Sequence, residues 1–160
     1  MGLDQYLRKQ EYVCVYDFDK TRQYSSPKKS TILIKTEYED GHTKEQNVDV
    51  HSRTGGIYMD VPYAYWRKAN AIHRWFVDFS QEEDRCQEIQ ITGKQLKQLI
   101  DLCEQVLKEP ERAGELLPTQ DGFFFGSTKY DEYYYEDLEY TLKMLKDVQD
   151  DDEFIYQASW

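Results

Sequence analysis

The first hydrophobic segments of the chain alternate with polar ones in a way that predicts β-strands. Residues 11–18, EYVCVYDF, are rich in the β-branched and aromatic side chains that strands favour. The polar residues 19–30, which include Ser-Ser-Pro and several cationic side chains, predict a basic loop. Apolar and polar positions then alternate in STILIKTEYED, and Asp40-Gly41 marks a turn before TKEQNVDV. This second pattern predicts a β-hairpin.

Residues 63–79, YAYWRKANAIHRWFVDF, have the periodicity of an amphipathic helix. Their apolar residues follow one another at steps of four, three, four and three, which places them on one face: Tyr65, Ala69, Ile72, Phe76 and Phe79. We expect this first helix to be a main core element. Trp66, Asn70 and His73 then share a second stripe, about 100° around the helix.

Two further helices are predicted downstream of the short strand QEIQIT, residues 87–92. Thr92 and Gln95 have the spacing of a capping box for the second helix, which ends before Pro110. Asp131 is the expected N-cap of the third helix. The apolar face of the third helix is predicted to be Tyr134, Leu138, Thr141, Leu145 and Val148.

The segment PTQDGFFFGST is followed directly by the tyrosine-rich KYDEYYYEDLEY. Three phenylalanines between two glycines predict a short buried strand, GFFFGS, and EFIYQASW predicts a last strand at the end of the chain. Gly126-Ser127-Thr128 and the tyrosines Tyr130, Tyr133 and Tyr135 fit neither the strand nor the apolar face of the third helix. We therefore expect any binding site to lie beside this region.

The order of predicted elements, β-β-β-α-β-α-β-α-β, does not alternate strictly as a doubly wound parallel sheet requires. The sequence therefore predicts the α+β class, with a mainly antiparallel or mixed sheet and about three helices. A length of 160 residues favours a single domain over residues 1–160. No segment has the ~20 apolar residues needed to span a membrane, and no signal peptide is recognisable, so a cytoplasmic protein is expected.

The charge of the chain is strongly negative and unevenly distributed. A net charge of −11 argues against general nucleic-acid binding, because phosphate contacts need a basic surface. Residues 130–153 contain ten acidic and two basic residues, a net charge of −8. The three cysteines are an odd number without CxxC spacing, and the three histidines are scattered. We therefore predict no metal site and no cofactor.

One motif suggests an enzyme. VCVYDFDKT, residues 13–21, is an apolar strand ending in D-x-D-x-T, which matches the first motif of haloacid-dehalogenase-type phosphatases. Asp17 would be the nucleophile and Asp19 the general acid of a Mg²⁺-dependent reaction, with IQIT, Lys94 or Lys97 and the acidic triplet 150–152 as later motifs. That fold needs parallel strands with long crossovers, whereas a basic loop and a hairpin follow this motif. An exposed polar turn is the alternative.

A second set of residues predicts a site for an anionic, nucleotide-like ligand. One side of the first helix combines an aromatic, an amide, an imidazole and two guanidinium groups, which can stack on a base and pair with phosphate: Trp66, Arg67, Asn70, His73 and Arg74. The other wall would come from the loop residues Thr119, Gln120, Gly126, Ser127 and Tyr130. The alternative is that the arginines pair with carboxylates of the third helix and that His73 is a half-buried structural residue. No catalytic residue is assigned.

The acidic region 130–153 suggests a third function. Clustered carboxylates on one helix can attract a basic surface of another protein, so this region is a candidate decoy or inhibitor surface for a host protein. Glu132, Glu136, Glu139, Lys143 and Asp147 are expected to face water. The alternative is an ordinary solvated helix face.

Three blocks of the chain resemble a family of small proteins encoded by phages and prophages: MGLD, AYWRKANAIHRWF and LLPTQDGFFFGSTKYDEYYYEDLEY. The resemblance brings no established activity and therefore no catalytic residues. It implies an accessory phage gene, expressed in a bacterial host cytoplasm, that counteracts or redirects a host system. The leading hypothesis is therefore a non-enzymatic protein that sequesters an anionic, nucleotide-like ligand.

Overall fold

The computed structural model describes residues 2–15, 29–51 and 56–160. These residues form two antiparallel sheets and four α-helices, which confirms the predicted α+β class. In chain order the elements are β1 (Asp4–Cys14), β2 (Ser30–Glu37), β3 (Thr43–Val50), β4 (Gly56–Arg67), α1 (Asn70–Ser80), β5 (Ile89–Thr92), α2 (Gly93–Lys108), α3 (Ala113–Leu116), α4 (Glu132–Leu145) and β6 (Glu153–Ser159). The helix beyond the expected three is the four-residue α3, which follows a 3-10 turn at Pro110–Arg112.

The chain divides into two compact units, one formed by Met1–Gln10 with Asp60–Trp160 and the other by Glu11–Met59. The single domain expected over residues 1–160 stays a prediction. In the smaller unit, β2 and β3 pair antiparallel from Ser30 opposite Val50 to Glu37 opposite Thr43. The predicted hairpin and its turn at Asp40-Gly41 are confirmed. The DFDKT motif, residues 17–21, lies outside the described residues.

The larger unit is built on a four-stranded sheet with the order β4-β1-β6-β5. β6 lies inside this sheet and pairs antiparallel with β1, from Asp4 opposite Ser159 to Gln10 opposite Glu153. On its other side β6 pairs with the short strand β5, with Ile89 opposite Tyr156. The last strand predicted from EFIYQASW and the strand predicted from QEIQIT are therefore confirmed.

Helix α2 begins at its predicted capping box, and helix α4 buries the face that its sequence predicts. The capping box of α2 is present, since the Thr92 side chain accepts from the Gln95 amide and the Gln95 side chain accepts from the Thr92 amide. Asp131 caps α4 by accepting from the Tyr134 amide. The predicted apolar face of α4 is buried at every position: Tyr134, Leu138, Thr141, Leu145 and Val148. No helix in the described ranges is long and apolar enough to cross a membrane.

The beginning of α2 packs directly on the turn that follows α4. The Gly93 amide donates to Asp152 O at 2.7 Å, and the Lys94 amide donates to Asp150 O at 3.1 Å. A Cβ atom at Gly93 would lie 1.7 Å from Gln149 O and 2.8 Å from Val148 Cγ1. This close approach of two backbones explains why glycine stands at the first position of α2.

The predicted helix over residues 63–79 is wrong in its first part. β4 continues through Arg67, and α1 begins only at Asn70. In the strand, Trp66 is buried while Tyr65 is 44% exposed, so the period is two and not three to four. Aromatic residues suit either a helix or a strand. The strand forms here because β4 pairs beside β1, and the Lys68 amide extends this contact by donating to Leu3 O. The second part is confirmed, with Ile72 and Phe76 fully buried in α1.

The predicted strand GFFFGS is also wrong. Residues 122–125 form a turn in which the Phe125 amide donates to Gly122 O. Phe123 is 95% exposed, whereas Phe125 is buried and packs edge-on against His73. Hydrogen bonds from the Leu3 amide and from the Asn70 side chain satisfy carbonyl groups of this segment, and they replace the bonds of a strand ladder.

Candidate functional site

A cleft of about 420 Å³ lies between the start of α1, the loop residues 119–127 and the first half of α4. We call it the α1–α4 cleft. Its volume is in the range of small-molecule sites. Cationic and acidic side chains both line it, namely Arg67, Lys68 and Lys129 on the one hand and Asp131, Glu136 and Asp137 on the other.

Asn70, the first residue of α1, holds the loop wall of the cleft in place. It is buried, and its Nδ2 donates to Phe125 O at 3.0 Å and to Ser127 O at 2.8 Å. Its Oδ1 accepts from the Gln120 amide at 3.1 Å. One side chain therefore makes three hydrogen bonds to a segment that is 50 to 57 residues distant in sequence.

The backbone that joins β4 to α1 is unusual where it lines the cleft. Lys68 has a φ of 62°, the left-handed conformation that residues other than glycine seldom adopt. Across from it, Gly126 has a φ of 89°, and a Cβ atom there would lie 3.1 Å from Lys68 Cβ. At Ala69, no side chain caps the amides of the first turn of α1. Strained backbone of this kind clusters at binding sites.

The cationic side chains of the cleft are open for a ligand. Within the described residues, the ammonium groups of Lys68 and Lys129 take part in no hydrogen bond or ion pair. Arg67 is exposed, and its Nε lies 4.0 Å from Asp4 Oδ1, at the limit of an ion pair. Three positive charges are therefore concentrated at one place in a chain whose net charge is −11.

Asp137 is the unusual acidic group of the cleft. Its carboxyl group is half-buried and makes no hydrogen bond or ion pair among the described residues. Burial raises the pKa of Asp137 from an ordinary 3.8 to about 7, and the negative charges of Glu136 and Asp131 add to this effect. Asp131, in contrast, is engaged as the cap of α4 and accepts from Ser127 Oγ at 3.3 Å.

The structure brings together half of the predicted site residues. The cleft is lined by Arg67, Asn70, Thr119, Gly126 and Ser127, and it is not lined by Trp66, His73, Arg74, Gln120 or Tyr130. Asn70 and the loop around Gly126 meet as expected, whereas the aromatic and imidazole groups that were expected beside them point elsewhere.

Trp66 is a core residue and offers no surface for stacking. Its indole Nε1 donates to Thr141 Oγ1 at 2.9 Å, and it is 2% exposed. Arg74 donates through Nη1 to Thr119 O at 3.0 Å and lies near Asp78 of its own helix. The alternative pairing of Arg67 and Arg74 with carboxylates of the third predicted helix is wrong, because Arg67 pairs with Asp4 and Arg74 pairs with Asp78.

Gln120 and Tyr130 are two predicted site residues that do not line the cleft. Gln120 Oε1 is buried and finds no hydrogen-bond partner among the described residues. The Tyr130 hydroxyl accepts from the Thr119 amide at 3.5 Å, and its ring packs edge-on against Tyr134. Tyr130 therefore contacts the loop at Thr119, and neither Gln120 nor Tyr130 lines the cleft.

His73 belongs to a buried polar network. Gln5 Nε2 donates to Ala69 O, so Gln5 Oε1 is free to accept from the Tyr156 hydroxyl at 3.0 Å. The hydroxyl group of Tyr156 also forms a hydrogen bond with His73 Nδ1 at 2.8 Å, and His73 Nε2 forms one with Asp84 Oδ2 at 2.8 Å. His73 is 1% exposed, which makes this network part of the fold and not an acid–base pair for a substrate.

The prediction from sequence missed several residues of the cleft: Lys68, Lys129, Tyr133, Glu136 and Asp137. Asp137 precedes Leu138 and follows Tyr134 by three positions, so it borders the buried face of α4. A helical projection of α4 would therefore have shown a carboxylate at the edge of the core. Lys68 gave no such indication, because the prediction placed it inside a continuous helix.

The residues proposed for the phosphatase are arranged differently from a haloacid-dehalogenase site. IQIT forms β5, which pairs antiparallel with β6, whereas that site needs parallel strands. Lys97 pairs with Asp150, and the Asp150–Asp152 segment follows α4. No cluster of potential metal ligands occurs within the described part of the chain. Asp17 and Asp19 lie outside that part.

Comparison of the chain with protein-family models, with curated proteins and with solved structures finds no match. The chemistry of the α1–α4 cleft is therefore the basis for a function.

Proposed function

We propose that the α1–α4 cleft binds a phosphate-bearing, nucleotide-like ligand, and that the protein holds this ligand without converting it. The observation that carries the proposal is the division of charge within one cleft. Among the described residues Lys68 and Lys129 have no ion-pair partner, Arg67 adds a third positive charge to the cleft, and the half-buried carboxyl group of Asp137 makes no hydrogen bond or ion pair. A ligand with an anionic end and a hydrogen-bond-donating end satisfies both.

The cationic side of the cleft suits phosphate. Lysine ammonium groups and an arginine guanidinium bind phosphate oxygens through charge-assisted hydrogen bonds. The first turn of α1 adds amides that no side chain caps, and helix N-termini attract anions. Because the remaining surface is strongly acidic, this local positive charge favours a small anion over a nucleic acid.

Binding without turnover is supported by the groups at the cleft. The Ser127 hydroxyl donates to Asp131, which already caps α4, so this pair is not arranged as a nucleophile with a base. The histidine of α1 is buried behind the cleft. Together with the resemblance to phage-encoded proteins, this favours a counter-defence role in a bacterial host cytoplasm, in which a host nucleotide is sequestered.

The test is isothermal titration calorimetry with mononucleotides, cyclic nucleotides and inorganic phosphate. We expect one ligand site per chain, and we expect the double substitution Lys68→Ala with Lys129→Ala to weaken binding at least about a hundredfold, since each of the two lost charge-assisted bonds costs ~1.5–3 kcal/mol. Lys143→Ala is the matched control, because Lys143 is an exposed lysine of α4 outside the cleft. Absence of binding by every nucleotide, or an equal loss in the control, would refute the proposal.

A second candidate function is supported by the surface of α4. The residues expected to face water are all exposed: Glu132, Glu136, Glu139, Lys143 and Asp147. This acidic face is suited to a basic surface of a host protein. If that surface is the functional one, a basic host protein should bind the wild type at low salt. Its binding should be lost at about 0.5 M salt and in the charge-reversal variant Glu132→Lys with Glu139→Lys. Retention under both conditions would exclude this candidate.

A further inference from the structure

Two side chains of α4 are placed in the α1–α4 cleft as a base-binding pair. Tyr133 and Asp137 are one helical turn apart, so their Cβ atoms are about 6 Å from each other on the same side of α4. Both line the cleft, and Tyr133 is 75% exposed. An open aromatic face next to a carboxyl group can stack a planar base and contact its edge at the same time.

The chemistry of a carboxylate selects among bases. An ionised carboxylate only accepts hydrogen bonds, and it accepts two in parallel. Guanine presents two parallel donors, N1–H and the exocyclic N2–H, and matches it at both positions. Adenine presents one donor and one acceptor, and uracil presents one donor between two acceptors, so each leaves a lone pair facing a negative oxygen. A base acceptor that faces a carboxylate oxygen inside a site makes no hydrogen bond and is repelled, so the site should discriminate strongly against adenine and uracil.

Resting on the proposed function, we infer that the ligand is a guanine nucleotide whose base stacks on Tyr133 and donates to the Asp137 carboxylate. Its phosphate would then be bound by the cations of the same cleft, Lys68, Lys129 and Arg67. The inference names the ligand class, whereas the proposed function requires only a phosphate-bearing nucleotide.

The charges around Asp137 make this recognition depend on pH. Glu136 and Asp131 oppose its ionisation, and the positive groups that line the same cleft are Lys68, Lys129 and Arg67. With a pKa of about 7, the carboxylate is mostly protonated at pH 6 and mostly ionised at pH 8. Guanine needs the ionised form, so its affinity rises with pH. Adenine matches the protonated acid, which both donates and accepts, so its affinity would fall.

The experiment compares GMP, IMP and AMP by calorimetry on the full chain at pH 6 and pH 8. We expect GMP to bind at least about a hundredfold tighter than AMP at pH 8, and about tenfold tighter at pH 8 than at pH 6, because the ionised fraction changes by that factor. IMP keeps N1–H and lacks N2–H, so it should bind about tenfold weaker than GMP.

The substitution Asp137→Asn supplies the second measurement. Asparagine presents one donor and one acceptor, so it should lose GMP and gain XMP, whose base carries N1–H beside a carbonyl group. If GMP and AMP bind equally and both depend on Lys68 and Lys129, the guanine inference is refuted and the proposed function stands. If no nucleotide binds, both are refuted. If Asp137→Asn leaves GMP binding unchanged, Asp137 does not recognise the base.

Discussion

Asp137→Asn should raise the melting temperature at pH 8 and change it little near pH 4. The folded-state pKa of Asp137 is about 7, above the ordinary 3.8. The stability that the neutral Asp137 carboxyl group contributes is therefore fully present below pH ~4 and is lost progressively as pH rises to 7, because ionising this half-buried group is costly. Asparagine does not ionise, so the loss is absent. At pH 8 the free energy of unfolding should therefore differ between variant and wild type by at most about 4 kcal/mol, and by less after solvent screening. This corresponds to a melting temperature that is roughly 5–10 °C higher in the variant.

Thermal unfolding monitored by circular dichroism from pH 4 to pH 8 measures this difference. Glu139→Gln is the control, since it removes one negative charge from an exposed position of the same helix and relieves the same general repulsion. We expect its effect to be within about 0.5 kcal/mol and not to vary with pH. An Asp137→Asn variant that is less stable than the wild type at pH 8 would show that the carboxylate is favourably placed in the fold. A gain in stability with a loss of ligand would be typical of a binding residue.

Asn70→Ala should be the most damaging single substitution at the cleft. It leaves Phe125 O, Ser127 O and the Gln120 amide without the partner that Asn70 supplies, within a buried site. Since each hydrogen bond contributes about 1 kcal/mol and unsatisfied buried groups cost more, we expect a loss of about 3–5 kcal/mol in the free energy of unfolding. Hydrogen exchange of residues 119–128 should become fast even where the rest of the larger unit stays protected.

Urea denaturation gives the free energy for this comparison. Asn47→Ala is the matched control, because Asn47 is exposed on β3 and the same atoms are removed there. A loss below about 1 kcal/mol in Asn70→Ala, or unchanged exchange of residues 119–128, would show that the loop is held by other contacts. The Arg74 bond to Thr119 O is then the next candidate.

The elements predicted correctly from sequence are those whose local signals and tertiary packing agree. Helix α4 begins at its cap Asp131, and each apolar position of its predicted face is buried. Helix α2 likewise begins at its capping box. The failures are at aromatic segments, because tyrosine, tryptophan and phenylalanine fit strands, helices and turns alike. In YAYWR the strand was selected by pairing beside β1, which no local pattern around residue 65 contains.

The site was predictable only in part, because its prediction depended on which segments were correctly identified as helix or loop. The loop from Thr119 to Ser127 was identified because its glycines and hydroxyl residues precede a capped helix, and Asn70 and Arg67 do meet it at the cleft. Trp66 and His73 were assigned to the site because a helical projection placed them beside Asn70. Once the chain is a strand at Trp66, that projection no longer applies, and the indole lies in the core instead.

The contact between Gly93 and Gln149 has a consequence for how this sequence can vary during evolution. The two backbones are so close that any side chain at position 93 would displace the turn before β6. β6 lies inside the sheet and carries Tyr156, so the displacement would reach the strand that organises the larger unit. Related chains should therefore keep glycine at this position even where they bind different ligands. If the proposed ligand site is correct, residues 67, 68, 129, 133 and 137 should vary with the ligand. Variation confined to those five positions would indicate a change of specificity on a conserved fold.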